Sequence, residues 1–178
     1  MSKLFYTLLL AAGLGGLLTG CSSHYDVLEP IPEYPECTAK FDQSATIDFK
    51  PGDDARLNQA ILNKFTECQY TDVISGEHYK AGLKKQIRIV APLDLKQTIL
   101  RCKDGYYLET RILVMVRLPG YITDGDLSYP APRYFQAFSQ IMIQEQAAQA
   151  AVAVDAINQA VNNLFTIAEF RSALAAGN

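Results

Sequence analysis

The residues from Tyr106 to Leu118 alternate between two faces, and this alternation constrains the fold more than any other feature of the sequence. One face carries Tyr106, Leu108, Thr110, Ile112, Val114, Val116 and Leu118. The other face is polar at both ends but apolar at Leu113 and Met115. A strict period of two predicts a strand whose first face lies in a core. The apolar middle of the second face indicates that another segment covers it.

Two neighbouring segments supply strands for this one. Lys103-Asp104-Gly105 carries the Asp-Gly chemistry of a tight turn, so residues 98–102 are expected to form the first arm of a hairpin. Before them, the alternation from Ile87 to Leu95 predicts a half-buried strand. Pro92 cannot donate to a strand ladder, so this strand is expected to lie at an edge or to contain a bulge.

The sequence of the N-terminal half of the domain predicts a strand followed by a helix. The strand covers residues 45–49 and ends at Pro51-Gly52, after which Asp53 or Asp54 can cap a helix. The apolar residues of this helix recur at helical spacing and are Leu57, Ile61, Phe65 and Cys68.

The segment from Tyr134 to Ala175 contains neither Pro nor Gly and is rich in Ala, Gln, Leu and Asn. These propensities predict a helix of roughly forty residues, either bent near Asp155 or divided in two. Its two apolar stripes differ in phase and consist of Phe138, Ile141, Met142, Ala148, Ala151 and Val152, then Ile157, Val161, Leu164 and Ala168. The fold class is therefore α+β, with a small antiparallel sheet packed by a short N-terminal and a long C-terminal helix.

The first twenty residues have the features of a targeting leader. Lys3 precedes an apolar stretch that runs to Leu18, which is shorter than the roughly 20 residues of a membrane-spanning helix. The sequence Leu18-Thr19-Gly20-Cys21 resembles the lipobox of bacterial lipoproteins. This resemblance implies cleavage before Cys21, two acyl chains on its sulfur and, in many bacteria, a third on its amino group.

The resemblance also implies a location and a domain plan. Ser22, rather than Asp, follows the cysteine, which is similar to outer-membrane lipoproteins facing the periplasm. We expect a signal peptide at 1–20, a lipidated flexible tether at 21–40 and one α+β domain at 41–178. Pro30, Pro32 and Pro35 favour extended structure in residues 22–36 of this tether, and at about 3 Å per residue these fifteen residues reach roughly 45 Å. Alternatively, the tether lies along the domain, anchored by Tyr25, Val27, Leu28, Ile31 and Tyr34.

Three cysteines remain for the oxidising periplasm: Cys37, Cys68 and Cys102. They allow at most one internal disulfide. Cys37 with Cys68 is the preferred pair, because it would attach the end of the tether to the first helix, and Cys68 with Cys102 is the alternative. The sequence contains no CxxC, so it offers no support for a redox motif or a zinc ribbon.

The sequence offers little for catalysis or for nucleic-acid binding. The formal net charge of −3 provides no basic footprint for phosphates. His24 and His78 are the only histidines, and no serine elbow, HExxH, EF-hand or P-loop pattern occurs. Asp124-Gly125-Asp126 is interpreted as a plain turn. We therefore expect no enzyme, no metal site and no cofactor.

One connection is a candidate interaction loop. Residues 119–133 form a long link between predicted elements, and loops of that length are commonly functional. Its apolar side chains are Tyr121, Ile122, Leu127 and Tyr129. Tyrosine is favoured at interfaces, but these side chains could equally complete the core.

Three functions remain open at this point. The first is a non-enzymatic envelope lipoprotein, attached to the membrane by its lipid, that acts as a structural, assembly or accessory subunit alongside envelope proteins. The second is a periplasmic module that binds a small amphipathic ligand, such as lipid, between the sheet and the long helix. The third is a hydrolase with an unrecognised site. A groove beside Leu113 and Met115 would favour the second function.

Overall fold

A computed structural model describes residues 24–33, 46–68, 70, 73–75, 86–118 and 120–175. The strands are β1 (Thr46–Lys50), β2 (Val73–Ser75), β3 (Gln86–Cys102), β4 (Gly105–Arg117), β5 (Tyr121–Thr123), β6 (Asp126–Ser128) and β7 (Arg133–Ile143). The helices are α1 (Ala55–Glu67), α2 (Gln149–Thr166) and α3 (Ala168–Ala175), with a 3-10 turn at Gln146–Ala148.

The strands form a five-stranded sheet in the order β2-β1-β3-β4-β7 and a separate β5–β6 hairpin. The pairs β3–β4 and β4–β7 are antiparallel, whereas β1 is parallel to both β2 and β3. Helix α1 connects β1 to β2 and carries the chain back along the sheet, which makes that pair parallel. The α+β class and its antiparallel sheet are confirmed, and the two parallel strands extend that sheet.

The predicted hairpin is confirmed. Cys102 pairs with Gly105, so Lys103 and Asp104 form a two-residue turn. Gly105 has a φ of +148°, a conformation that side chains disfavour and glycine accepts. The register shifts between Val90 and Asp94, which places the predicted bulge at Pro92. The edge alternative is wrong, because β3 lies between β1 and β4.

Helix α1 also follows its prediction. The Asp54 carboxylate accepts hydrogen bonds from the backbone N–H groups of Arg56 at 2.9 Å and Leu57 at 3.3 Å. This cap satisfies donors that have no partner within the helix. The helix buries Leu57, Ala60, Ile61 and Phe65.

The prediction of one long helix from residue 134 is wrong over its first fifteen residues, because α2 begins only at Gln149. Residues 133–143 form β7, which pairs with β4 at every position from Arg133 to Ile143. Phe135, Ala137, Ser139 and Ile143 are buried, and this period of two identifies a strand. Pairing with β4 overrides the local helix propensity. Phe138 and Ile141 therefore lie on opposite faces of a strand and not on one helical stripe.

The helical part that remains is divided at a different place from the one expected. The chain stays helical through Asp155, and the break between α2 and α3 occurs at Ile167, whose φ of −66° and ψ of 119° are extended. The bend expected near Asp155 is therefore wrong, and the break at Ile167, twelve residues further along the chain, falls within the second predicted stripe.

Helix α2 packs closely on β4 and β7 through small side chains. Ala156 and Ala160 are fully buried, and Ala153 is nearly so. Polar side chains of the sheet reach the helix backbone across this contact. The Ser139 hydroxyl donates to the Ala156 carbonyl at 2.6 Å, and Gln97 Nε2 donates to the Ala153 carbonyl at 3.0 Å. These bonds satisfy one buried and one half-buried donor that would otherwise destabilise the core.

An aromatic cluster joins the helices to the sheet. Phe165 of α2 lies edge-on to Phe65 of α1 at 5.1 Å and to Phe170 of α3 at 5.3 Å between ring centroids. Phe170 is in turn 5.3 Å from Phe135 of β7. Edge-to-face contacts of this kind add about 0.5–1.5 kcal/mol each beyond area burial. Across the part of the chain that the structure describes, no helix is both long and apolar enough to cross a bilayer.

Leu164→Ala is expected to lower the free energy of unfolding by about 2–5 kcal/mol, because the lost transfer energy adds to the cost of a cavity. Leu164 is 1 % exposed and belongs to the core between α2 and the sheet. Urea unfolding of the purified protein measures the change. Asn162→Ala, at an exposed position of the same helix, is the matched control and should change stability by less than about 0.5 kcal/mol. Equal stability of the two variants would contradict this packing.

Candidate functional site

The sheet has one face that the described helices do not cover, called the open face below. Thr110 and Ser139 are fully buried on the opposite face, towards α2. Because side chains alternate along a strand, their neighbours Glu109, Arg111, Phe138 and Gln140 lie on the open face. Register places these residues side by side, with Glu109 opposite Gln140 and Arg111 opposite Phe138.

Glu109 is the centre of a polar network on this face. Glu109 is only 7 % exposed, and both oxygens of its carboxylate accept hydrogen bonds. Oε1 accepts from Arg111 Nε at 2.6 Å, and Oε2 accepts from Gln140 Nε2 at 3.0 Å. The Arg111 guanidinium also lies 5.4 Å from the centre of the Phe138 ring. A buried carboxylate requires such partners, because an unpaired buried charge is costly.

These contacts set the ionisation of Glu109. Burial raises the pKa of the carboxyl, but hydrogen bonds from Arg111 and Gln140 and the charges of Arg111 and Lys96 outweigh burial. The pKa of Glu109 therefore lies below its ordinary value of 4.5. The same contact with Glu109, together with Glu29, raises the pKa of Arg111. At neutral pH both groups are charged, so Glu109 has no proton to donate as a general acid.

Residues 24–33, called the N-terminal segment below, contact the domain at two places. The backbone N–H of Asp26 donates to the Arg101 carbonyl at 3.0 Å, and the Arg101 N–H donates to the Asp26 carboxylate at 3.1 Å. The Arg101 guanidinium lies 5.6 Å from the Tyr25 ring centre. Glu29 forms an ion pair of 2.9 Å with Arg111. This part of the predicted tether therefore lies against the sheet.

The contacts of the N-terminal segment are mainly polar. Val27, one of the apolar anchors considered for the tether, is 89 % exposed, and Ile31 is 37 % exposed. Tyr34, another of them, lies outside the described residues. Arg111 bridges the Glu109 carboxylate of the sheet and the Glu29 carboxylate of the segment. The open-face network thus links the sheet to the chain that leads towards Cys21.

A small pocket lies beside Leu113, at the place where a groove would favour the ligand-binding function. Its volume is about 120 Å³, and it is lined by Asp94, Lys96, Arg111, Ile112, Leu113 and Gln136. Pockets that bind small organic ligands are commonly about 300–1,000 Å³ and mostly apolar. At about 120 Å³ this pocket is too small to favour binding of a lipid-like ligand. Among the described residues, no group of three His, Cys, Asp or Glu side chains is arranged to hold a metal ion.

The predicted cysteine sites are described only in part. Cys21 and Cys37 lie outside the described residues, so lipidation and the Cys37–Cys68 disulfide stay predictions. Cys68, at the end of α1, and Cys102, at the end of β3, are not bonded to each other. Burial, followed by the carboxylates of Asp104 and Asp26, raises the pKa of the Cys102 thiol. A thiol of raised pKa is protonated at neutral pH and therefore unreactive.

The predicted interaction loop contains the β5–β6 hairpin. Tyr121 pairs with Ser128 and Ile122 with Leu127. The turn between them is Asp124-Gly125, with φ values of 53° and 89°, as expected for a plain Asp-Gly turn. Of the four candidate side chains only Tyr129 is described, and it is 60 % exposed. The side chains of Tyr121, Ile122 and Leu127 are not, so this interaction site stays a prediction.

Strand β7 is a candidate interaction element that the sequence interpretation missed, because it assigned these residues to a helix. Within the described part of the chain, β7 pairs with β4 on one side and with no strand on the other. It is 11 residues long, and Arg133 is its only charged residue. Tyr134 is 58 % exposed and Met142 is 55 % exposed. A long edge of low charge is suited to pairing with another strand. Alternation of Phe135, Ala137, Ser139, Ile141 and Ile143 was the available signal.

Comparison with known proteins does not identify a family. No protein-family model and no curated protein matches the chain. The chain is similar to a minor lipoprotein from Acinetobacter baumannii, with 10 % identity, a TM-score of 0.41 and coverage of 67 % of this chain and 87 % of that one. It is also similar to a hypothetical protein from Chlamydia trachomatis, with 9 % identity, a TM-score of 0.40 and coverage of 75 % and 99 %. Because both TM-scores are below 0.5, neither similarity indicates a function.

Glu109→Gln is expected to lower the free energy of unfolding at pH 7 by about 1–3 kcal/mol, because it removes a charge-assisted hydrogen bond. It should also change the pH dependence. The folded pKa of Glu109 is below the unfolded one, so its stabilisation is complete above about pH 4.5 and is lost as pH falls through the folded pKa. Unfolding curves at several pH values measure both effects. The exposed Glu145 provides the control variant Glu145→Gln, which should behave like the wild type. Identical pH profiles for Glu109→Gln and the wild type would refute this assignment.

Proposed function

We propose that the protein is a lipid-anchored cell-envelope lipoprotein, held at the outer membrane and facing the periplasm, that serves as a non-enzymatic assembly or accessory subunit of an envelope complex. Leu18-Thr19-Gly20-Cys21, at the end of a short apolar leader, is the observation that carries the proposal. Acyl chains on Cys21 would hold the domain at the bilayer, because each buried methylene contributes about 0.8 kcal/mol to membrane binding.

The outer edge of β7 supports a role in binding other envelope proteins. An extended segment of a partner can add to such an edge through main-chain hydrogen bonds, while alternate side chains provide specificity. Tyr134 and Met142, both more than half exposed, would contact such a strand. Tyrosine and methionine are both enriched at protein interfaces. We therefore assign β7 as the docking edge for a partner in the complex.

The open face supports a binding role over a catalytic one. Its most buried ionisable group, Glu109, is fully engaged by Arg111 and Gln140. A general base needs free access to the substrate proton, and this carboxylate has none. The pocket of about 120 Å³ beside Leu113 also weighs against the ligand-binding alternative.

Cys21→Ser is expected to remove the protein from the membrane fraction or to leave an uncleaved precursor, because the serine oxygen is not acylated by this route. Cell fractionation and intact mass of the purified protein measure the two outcomes. Ser22→Ala leaves the lipobox cysteine in place and is the control, which should remain membrane-bound. A wild-type mass without lipid, or with the leader from Met1 intact, would overturn the anchoring.

Met142→Lys is expected to reduce recovery of the partner complex from native membranes, because a charge on an edge strand opposes pairing with another strand. Val154→Lys is the matched control. Val154 is a similarly exposed apolar residue, at 49 % against 55 %, but it lies on α2 away from the β7 edge. Chemical crosslinking in cells, followed by affinity purification at equal abundance, compares the two variants. Equal recovery from both would show that β7 is not the docking edge.

A further inference from the structure

We propose that the N-terminal segment fixes the orientation of the domain on the membrane, so that the β3–β4 turn at Lys103 and Asp104 faces the lipid headgroups. The partner surface is a lipid bilayer, and the contacting element is this turn. The inference rests on the proposed function, because it requires the lipid on Cys21. It replaces a free tether of about 45 Å by a short, oriented attachment.

The first observation is where the segment is attached. Asp26 exchanges two hydrogen bonds with the backbone of Arg101. Arg101 lies one residue before Cys102, which closes the β3–β4 turn with Gly105. The Tyr25 ring lies over the Arg101 guanidinium. Two consecutive residues of the segment are therefore held at the turn end of the sheet.

The second observation is the direction in which the segment runs. Glu29 contacts Arg111, which lies near the middle of β4, opposite Lys96. Asp26 contacts Arg101, which lies opposite Tyr106, five positions nearer to the turn. The chain thus approaches the turn as it runs back from Glu29 to Asp26. The described part of the segment therefore begins at the turn end of the sheet, on the side of the chain that leads to Cys21.

The third observation is the length of chain left between the attachment and the lipid. Four residues separate Cys21 from Asp26, and the five steps from Cα to Cα span at most about 18 Å at ~3.6 Å each. Strand β4 has 13 residues, which at about 3.3 Å per residue is roughly 40 Å. The far end of the sheet, with the β5–β6 hairpin, is therefore beyond the reach of the anchor. Of the two ends of the sheet, the turn end is the one that can lie at the bilayer while Asp26 stays bound.

The charges at the turn do not select the orientation. Arg101 and Lys103 are exposed cations, and Asp104 and Asp26 supply two carboxylates in the same region. Asp104 accepts a hydrogen bond of 2.6 Å from the Tyr107 hydroxyl. Because the charges balance, attraction to anionic lipid is weak. The position of the attachment and the short link to Cys21 are what bring the turn to the surface.

The test uses the full lipidated chain, purified from membranes and inserted into phosphatidylethanolamine–phosphatidylglycerol vesicles that carry a trace of headgroup-labelled acceptor lipid. A fluorescent donor is introduced through an encoded non-natural amino acid at Lys103 or, separately, at Asp126. Both positions are exposed turn or hairpin sites. Because energy transfer falls steeply with distance, transfer from position 103 should exceed transfer from position 126 several-fold.

The role of the N-terminal segment is tested with Asp26→Ala combined with Glu29→Ala. The two substitutions remove the carboxylate contacts with the Arg101 N–H and with Arg111, and they leave only the Asp26 N–H bond and the Tyr25 ring contact. The weakened segment detaches more often, so the ratio of transfer at the two positions should fall at least twofold. Glu33→Ala removes an exposed carboxylate of the same segment and should leave the ratio unchanged. Equal transfer from both positions in the wild type, or an unchanged ratio in the double variant, would overturn the inference.

Flotation of the same vesicles separates this inference from the proposed function. Protein that floats but shows equal transfer is lipid-anchored without the proposed orientation, so only the inference fails. Protein that does not float is not anchored by lipid, and then the proposed function fails together with the orientation that depends on it. Unfolding curves confirm that the double variant remains folded during the measurement.

Discussion

The close contact between α2 and the sheet is the interaction on which the rest of the structure depends. Ala156 and Ala160 extend no further than Cβ, so the helix lies near enough for Ser139 to reach the Ala156 carbonyl at 2.6 Å. Larger side chains would separate the layers and leave the Ser139 hydroxyl unsatisfied in the core, at a cost of about 1–3 kcal/mol. This contact covers one face of β4 and β7, whose ladder of paired residues leaves the opposite face and the outer edge of β7 uncovered by the described helices.

On the open face, the guanidinium of Arg111 makes two ion pairs with different roles. Arg111 neutralises the buried Glu109 and also binds Glu29 of the N-terminal segment. The first contact keeps Glu109 ionised despite its burial, and the second holds the chain that leads to Cys21 against the sheet. The two tasks are coupled, because an Arg111 released from Glu109 would lose the geometry that presents it to Glu29. The polar side chains of the open face thus attach the N-terminal segment to the sheet, whereas the opposite face packs the core.

Sequence patterns predicted the elements whose signals are local. The Asp54 cap, the α1 face and the β3–β4 turn at Lys103 and Asp104 all depend on residues within a few positions of one another. Strand β7 was not predicted, because its Gln- and Ala-containing sequence favours a helix until β4 pairs with it. The open-face network was missed for the same reason. Glu109 and Arg111 are two positions apart, but Gln140 lies 31 residues from Glu109, on the strand that was mistaken for a helix.

The direction of the strands connects the proposed anchor with the proposed docking edge. Strand β7 begins at Arg133, opposite Val116, and ends at Ile143, opposite Tyr106 beside the β3–β4 turn. If that turn faces the bilayer, Met142 lies at the membrane end of the edge and Tyr134 at the periplasmic end. Eleven residues extend roughly 35 Å along a strand. A partner segment paired with β7 would therefore run between the membrane surface and the periplasm. The orientation of the sheet on the membrane would thus also determine the direction of the bound partner segment.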